Sequence, residues 1–168
     1  MSSIVIRPAS ITDVTQIVKV RVEALTDEEL SGFVVPGDNL YTSVKKLQKM
    51  WNKENRLKDG LELFVAESQG NIVGFIAYNM ESCDDNIDNL IVAKKEQRKG
   101  IGRSLVEYIE ELAKSRGFDY ITTNTTENAN GVPWKAYDFW KRLGYEDNGG
   151  RLATHYDFRV VPLVKRLK

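Results

Sequence analysis

Residues 87–117 read IDNLIVAKKEQRKGIGRSLVEYIEELAKSRG, and this stretch decides the fold. Leu90-Ile91-Val92 is a short branched apolar run of the kind that forms a strand buried on both faces. From Ile101 the apolar positions Ile101, Leu105, Ile109 and Leu112 recur at helical spacing, with Glu107, Glu110, Glu111 and Lys114 expected to face outward. Lys114 and Arg116 suit a last turn, and Gly117 stands where a left-handed residue would end it. Between strand and helix lies the basic turn Gln97-Arg98-Lys99-Gly100-Ile101-Gly102. Such a turn aims unpaired backbone N–H groups and the positive end of a helix dipole at one point, and its glycines let a ligand approach the main chain. That chemistry suits phosphate, with Arg98, Lys99 and Arg103 adding charge; the plainer alternative is a tight connection between two elements. The dinucleotide fingerprint fails because Leu105 takes its third glycine position, and the P-loop fails because no Gly-Lys-Ser/Thr is present.

Composition narrows the classes. The 168 residues hold 24 Lys plus Arg against 24 Asp plus Glu, so net charge gives no reason to expect a nucleic-acid or membrane partner. The length suits a single domain spanning residues 1–168. Cys83 is the lone cysteine, which excludes an internal disulfide, and no Cys/His cluster suggests zinc or another metal site. Neither a signal-type segment nor an apolar run of membrane-spanning length is found, and a cytoplasmic location is the expectation.

Outward from the central stretch, Ile4 to Ile6 suggests a first strand ending at Arg7-Pro8. Ser10 and Asp13 are spaced as a capping box ahead of a helix striped by Val14, Ile17, Val18, Val22 and Leu25. Tyr41 to Leu57 shows helical spacing through Val44, Leu47, Met50 and Trp51. Leu61–Glu67 and Ile72–Met80 flank Ser68-Gln69-Gly70-Asn71, a hairpin signal, and Ile87–Val92 completes a meander. Beyond the central helix, Tyr120–Thr123 suggests a strand, Thr125–Gly131 a polar loop, and Trp134–Leu143 a helix with Pro133 in its first turn and Gly144 at its end. Asn148-Gly149-Gly150 is a turn ahead of the alternating Leu152–Val160.

The segment Gln97 through Gly102 matches the central motif of the GCN5-related N-acetyltransferase (GNAT) family: Gln or Arg, two variable residues, Gly, one variable residue, Gly or Ala. Ile87–Val92 resembles that family's fourth strand, Ile6-Arg7-Pro8-Ala9 with Asp13 its opening, and Ala136–Tyr145 its late helix and turn. The resemblance implies an α/β (α+β) fold with a mixed, mostly antiparallel sheet of six to seven strands and about four helices. It also implies acetyl-CoA as co-substrate, with the diphosphate on Gln97, Arg98, Lys99, Gly100, Ile101, Gly102 and Arg103. The pantetheine and thioester would lie along a bulged edge at Leu90, Ile91 and Val92.

An amine must lose a proton before it attacks, and the tetrahedral oxyanion needs donors. Asp88, two residues before Leu90, stands where the family often carries an acid and is the first candidate base; Glu81, Asp84 and Asp85 belong to the preceding connection. The family's frequent tyrosine acid falls on Trp140, between Phe139 and Tyr145, so Tyr137, one turn earlier, is the candidate that remains. Pro133 replaces a frequent asparagine, leaving Asn128 or Asn130 to take its place beside the cofactor, as Trp140 would. Phe33, Val34, Tyr41 and Trp51 are candidate acceptor walls, and His155 is a strand histidine with a packing or reading role. The acceptor class stays open between a small-molecule amine and a protein amine. A CoA-binding module without turnover and a nucleotide-binding protein are the alternatives. The apolar run Val160-Val161-Pro162-Leu163-Val164 would offer a homodimer an edge or patch.

Overall fold

The computed structural model describes residues 2–30, 40–52, 54, 56–58, 60–82 and 85–168, with backbone alone for 25–30. Strand β1 (Ile4–Pro8) leads through a 3-10 turn into helix α1 (Val14–Leu30). The capping box forms: Ser10 N–H donates to Asp13 Oδ2 at 2.8 Å. Arg7 clamps the same carboxylate at 2.8 and 2.9 Å, and its guanidinium pulls the Asp13 carboxyl below the usual carboxylate range. Val14, Ile17, Val18 and Val20 are buried, but Val22, expected on the stripe, is 44% exposed. Arg21 turns inward beside it instead.

Helix α2 (Val44–Gln48) is capped by Ser43 and is far shorter than the expected Tyr41–Leu57 segment. Asn52 Oδ1 accepts the amides of Glu54 and Arg56 at 2.9 and 3.0 Å, and Trp51 pairs with Leu57 across the resulting turn. An asparagine side chain that imitates backbone carbonyls has outcompeted helix propagation there.

The meander forms as β2 (Leu61–Ser68), β3 (Asn71–Asn79) and β4 (Ile87–Val92). Gln69 and Gly70 turn the hairpin with φ of 50° and 79°, which matches the strands' twist. Helix α3 (Ile101–Ser115), strand β5 (Tyr120–Asn128), helix α4 (Ala136–Arg142) and strands β6 (Glu146–Asp147), β7 (Leu152–Ala153) and β8 (Phe158–Arg166) complete the chain. The sheet has eight strands in the order β1-β2-β3-β4-β5-β8-β6, with β7 also on β8; β4 and β5 are parallel and the other pairs antiparallel. A mixed, mostly antiparallel sheet with helices on both faces is the expected class, and β6 and β7 are only two residues each.

Alternation along β3 divides the core. Ile76 and Tyr78 pack with Ile101, Leu105 and Ile109 of α3, whereas Phe75 and Ala77 pack with Val14, Ile17 and Val18 of α1.

Several features from α3 onward differ from the sequence reading. β5 continues through Thr125 to Asn128, because threonines there pair with Val161 and Val160 of β8. α4 starts at Ala136 because Pro133 bridges to Glu127 and Trp134 N–H donates to Thr126 O at 2.9 Å, extending the sheet first. The Leu152–Val160 segment breaks at 154–157, where Thr154 Oγ1 accepts Tyr156 N–H at 3.1 Å. The Val160–Val164 run is not an edge: β8 is paired on both sides, with Val161 and Leu163 fully buried. Glu110, expected outward, is buried and accepts Lys165 Nζ at 2.9 and 3.0 Å and the Tyr145 hydroxyl at 3.1 Å. Glu110 lies in phase with the buried Val106 and Ala113 of α3, and Lys165 of β8 neutralises it there.

Candidate active site

The site begins where β4 and β5 part. Their register holds at one pair, Ile87 with Thr123. Thr123 Oγ1 donates to Ile87 O at 2.9 Å, and Asn86 locks the fork through Thr122 N at 2.9 Å. Beyond that point the strands diverge around a cavity of about 190 Å³, walled by Asp88 to Ile91, Thr123 to Thr126, Arg21, Trp134 and Trp140. Parallel strands that separate leave backbone groups unpaired on the facing edges.

A bulge sets what faces the gap. Ala77 pairs with Asn89 and Tyr78 with Ile87, so Asp88 is the extra residue. The sequence reading placed the bulge at Leu90–Val92; those residues instead keep unbroken register with Ile76–Gly74. Ile87 and Leu90 both pack toward α3, although three residues apart, while Ile91 packs toward α1. The bulge therefore turns Asp88 to the α1 face, where the Tyr41 hydroxyl donates to its Oδ2 at 2.7 Å. Burial, with the Asp88 charge second, pushes the Tyr41 phenol far up, so this hydroxyl stays protonated as a donor. Ala93 N–H donates to Val73 O at 2.8 Å. By alternation Ile91 faces β3, and the main-chain groups of Leu90 and Val92 face the open edge.

The basic turn closes the other end of β4. Gln97 Nε2 donates to Val92 O at 3.1 Å, tying the turn to the strand. Arg98 and Gly100 both take left-handed φ, 64° and 83°, and α3 starts directly after. Ser104 N–H donates to Gly100 O at 3.0 Å, but among the described residues no amide from Gln97 to Arg103 donates to a protein carbonyl. The amides form an open nest at a helix N-terminus, the arrangement that holds a diphosphate. Lys99 is paired with Glu96 at 2.9 Å and Arg103 with Glu107 at 2.8 Å, so backbone donors dominate. A Cβ on Gly102 would meet Phe139 at 3.4 Å.

A second cavity of about 290 Å³ opens beside Tyr41, walled by Leu40, Met50, Lys58, Leu61, Asn79 and Asp85. Asp88 lines both cavities. Trp140 lines the first, held edge-on by Phe139 and Tyr145 at 5.1 and 5.0 Å. Tyr137 does not line it; its hydroxyl donates to Asp147 Oδ1 at 2.9 Å, because Arg151 fixes that carboxylate alongside. Asn130 sits in the turn after β5, away from the gap, its amide bonded to Asn128 Oδ1 at 3.0 Å. Trp51 is buried and lines neither cavity. His155 lies in the 154–157 break. Phe33, Val34, Cys83 and Asp84 lie outside the described residues.

Across residues 59–147, more than half of its length, the chain matches the family model described as an acetyltransferase (GNAT) domain. The chain belongs to the GNAT acetyltransferase family. Acetyl-CoA is the acetyl donor of such acetyltransferases, and the open amide nest fits its diphosphate. No curated protein sequence matches the chain. Among solved structures, smu.2055 from Streptococcus mutans UA159 is 20% identical, with 98% of this chain and 99% of that chain covered and a TM-score of 0.74. The PaiA N-acetyltransferase from Thermoplasma acidophilum, in complex with coenzyme A, is 16% identical over 98% and 99% of the two chains, with a TM-score of 0.73. An aminoglycoside 6'-N-acetyltransferase complexed with coenzyme A is 19% identical over 98% and 97%, with a TM-score of 0.71. At these identities the likeness concerns the fold.

The sequence reading missed Tyr41 as the partner of Asp88, and it missed Arg21 and Trp134 as cavity walls. For Arg21 a signal existed: it falls four residues after Ile17 and three after Val18, on the apolar stripe. Among the described residues, no helix is long and apolar enough to cross a membrane.

Proposed function

We propose that residues 1–168 act as one cytoplasmic N-acetyltransferase domain that moves an acetyl group directly from acetyl-CoA to a primary amine of a small molecule or protein. The observation that carries this reading is Asp88: one carboxylate, lifted by a bulge, lies on the walls of both cavities. The gap between β4 and β5 suits the thioester arm, and the second cavity suits the acceptor.

Acetyl-CoA supplies an activated acetyl whose carbonyl oxygen gathers negative charge as the amine adds. The open-edge N–H groups of Leu90 and Val92 are the donors for that oxygen and for the pantetheine amides. The amides of Gln97 to Arg103 hold the diphosphate and fix the reach of the arm. Asp88 takes the proton from the incoming ammonium, whose pKa near ~10.4 leaves under about one molecule in a thousand nucleophilic at neutral pH. Tyr41 holds the Asp88 carboxylate through its 2.7 Å hydrogen bond. Tyr137 is not assigned the acid role, since its hydroxyl is committed to Asp147. The departing thiolate has a reference pKa near ~8.5 and leaves without a dedicated acid. Incubation with acetyl-CoA and a panel of amines, following free thiol and the mass of the product, tests the reading. Amine-dependent thiol release with an acetylated product is expected; CoA binding without it would support a module that lacks turnover.

A further inference from the structure

The second cavity carries an amine of the protein's own. Lys58 lines it together with Asp88 and Asp85. Its main chain is anchored, Lys58 N–H donating to Met50 O at 3.1 Å, while its side chain is exposed. Lys58 and the two carboxylates thus share the walls of one cavity. A flexible amine tethered at the mouth of a cavity is present there at an effective concentration on the order of millimolar, without any external acceptor.

We infer that Lys58 is an autoacetylation site: in the absence of another amine, the protein transfers the acetyl group of acetyl-CoA to its own Lys58 Nζ in cis. The inference rests on the acetyl-transfer reading above. Asp88, reachable from the cavity Lys58 lines and from the gap between β4 and β5, takes one proton from the ammonium. Nζ then adds to the thioester carbon, the C–N bond forms, the C–S bond breaks, and the electron pair leaves on sulfur. Of the two protons the ammonium loses, one ends on sulfur and one in solvent; the products are an acetylated Lys58 and CoA. Acetylation removes one cation from the walls of a cavity that also carries Asp85 and Asp88, and leaves it more anionic.

The test uses the full chain with acetyl-CoA and no added amine, with peptide mass mapping over time. Acetyl should appear on Lys58 at least about tenfold faster than on the exposed Lys19 and Lys45. The rate per molecule should be unchanged when the protein is diluted about tenfold, as an intramolecular step requires. Asp88→Asn should bring Lys58 down to the rate of the other lysines, and Lys58→Arg should leave that peptide unmodified. Modification of Lys58 no faster than of Lys19 and Lys45, or a rate that rises with protein concentration, overturns the inference. Turnover of the external amine panel separates the two readings: if it persists while Lys58 stays unmodified, only the autoacetylation falls.

Discussion

The two ends of β4 do different work by different means. At its far end, Arg98 and Gly100 take left-handed φ and leave a row of amides open, so binding there is a property of the main chain. Near its start, the bulge turns one side chain, Asp88, onto the face where Tyr41 holds it at 2.7 Å. The contrast teaches that substitutions at one end should act on cofactor affinity and at the other on turnover.

The largest effect separating the ends should come from Asp88→Asn, with kcat falling by about 100-fold or more, as loss of a general base does. CoA affinity, measured by calorimetry, should hardly change. Equal losses in both quantities would erase the distinction. At the opposite end, Gly100→Val forces a side chain onto a φ of 83°. It should weaken CoA binding by at least about tenfold, given a left-handed cost of roughly 1–2 kcal/mol plus a displaced amide. The far-ultraviolet spectrum should stay native, because no atom lies within 4 Å of the added Cβ.

Tyr41→Phe should be milder, with kcat/KM down by about three- to tenfold, since it removes one hydrogen bond to a charged group and leaves the ring packed on Phe75. Its effect should vanish in the Asp88→Asn background, a coupling that a purely structural role would not produce. The smallest effect on catalysis should come from Asp13→Asn, remote from both ends. Because the folded Asp13 carboxyl titrates below its ordinary value, its charge stabilises the fold above about pH 4 and that stability is lost as acid protonates it. The variant should be destabilised by about 1–2 kcal/mol at pH 7 in urea titrations. That difference should shrink progressively below about pH 4.

The asymmetry between the ends also explains what could be read from the sequence. The 97–102 turn is local: glycine spacing and the periodicity of α3 specify it without reference to distant residues, and it stands where expected. The strand runs of β1 to β4 and the Ser10–Asp13 cap were equally legible. The bulge was misplaced because its position depends on how β4 registers against β3, which no local pattern in Ile87–Val92 encodes. The partnership of Tyr41 with Asp88 joins residues 47 apart in sequence, and the buried Glu110 is neutralised by Lys165, 55 residues away. Tyr137 is one turn from Trp140, which spacing could read; that Asp147 and Arg151 would hold its hydroxyl is a tertiary fact.

A crystal structure of the complex with acetyl-CoA tests the central claim most directly. The account predicts the diphosphate on the main-chain amides between Gln97 and Arg103, with the acetyl group in the gap between β4 and β5 beside Asp88. A cofactor bound elsewhere, or an acetyl group out of reach of Asp88, would contradict it.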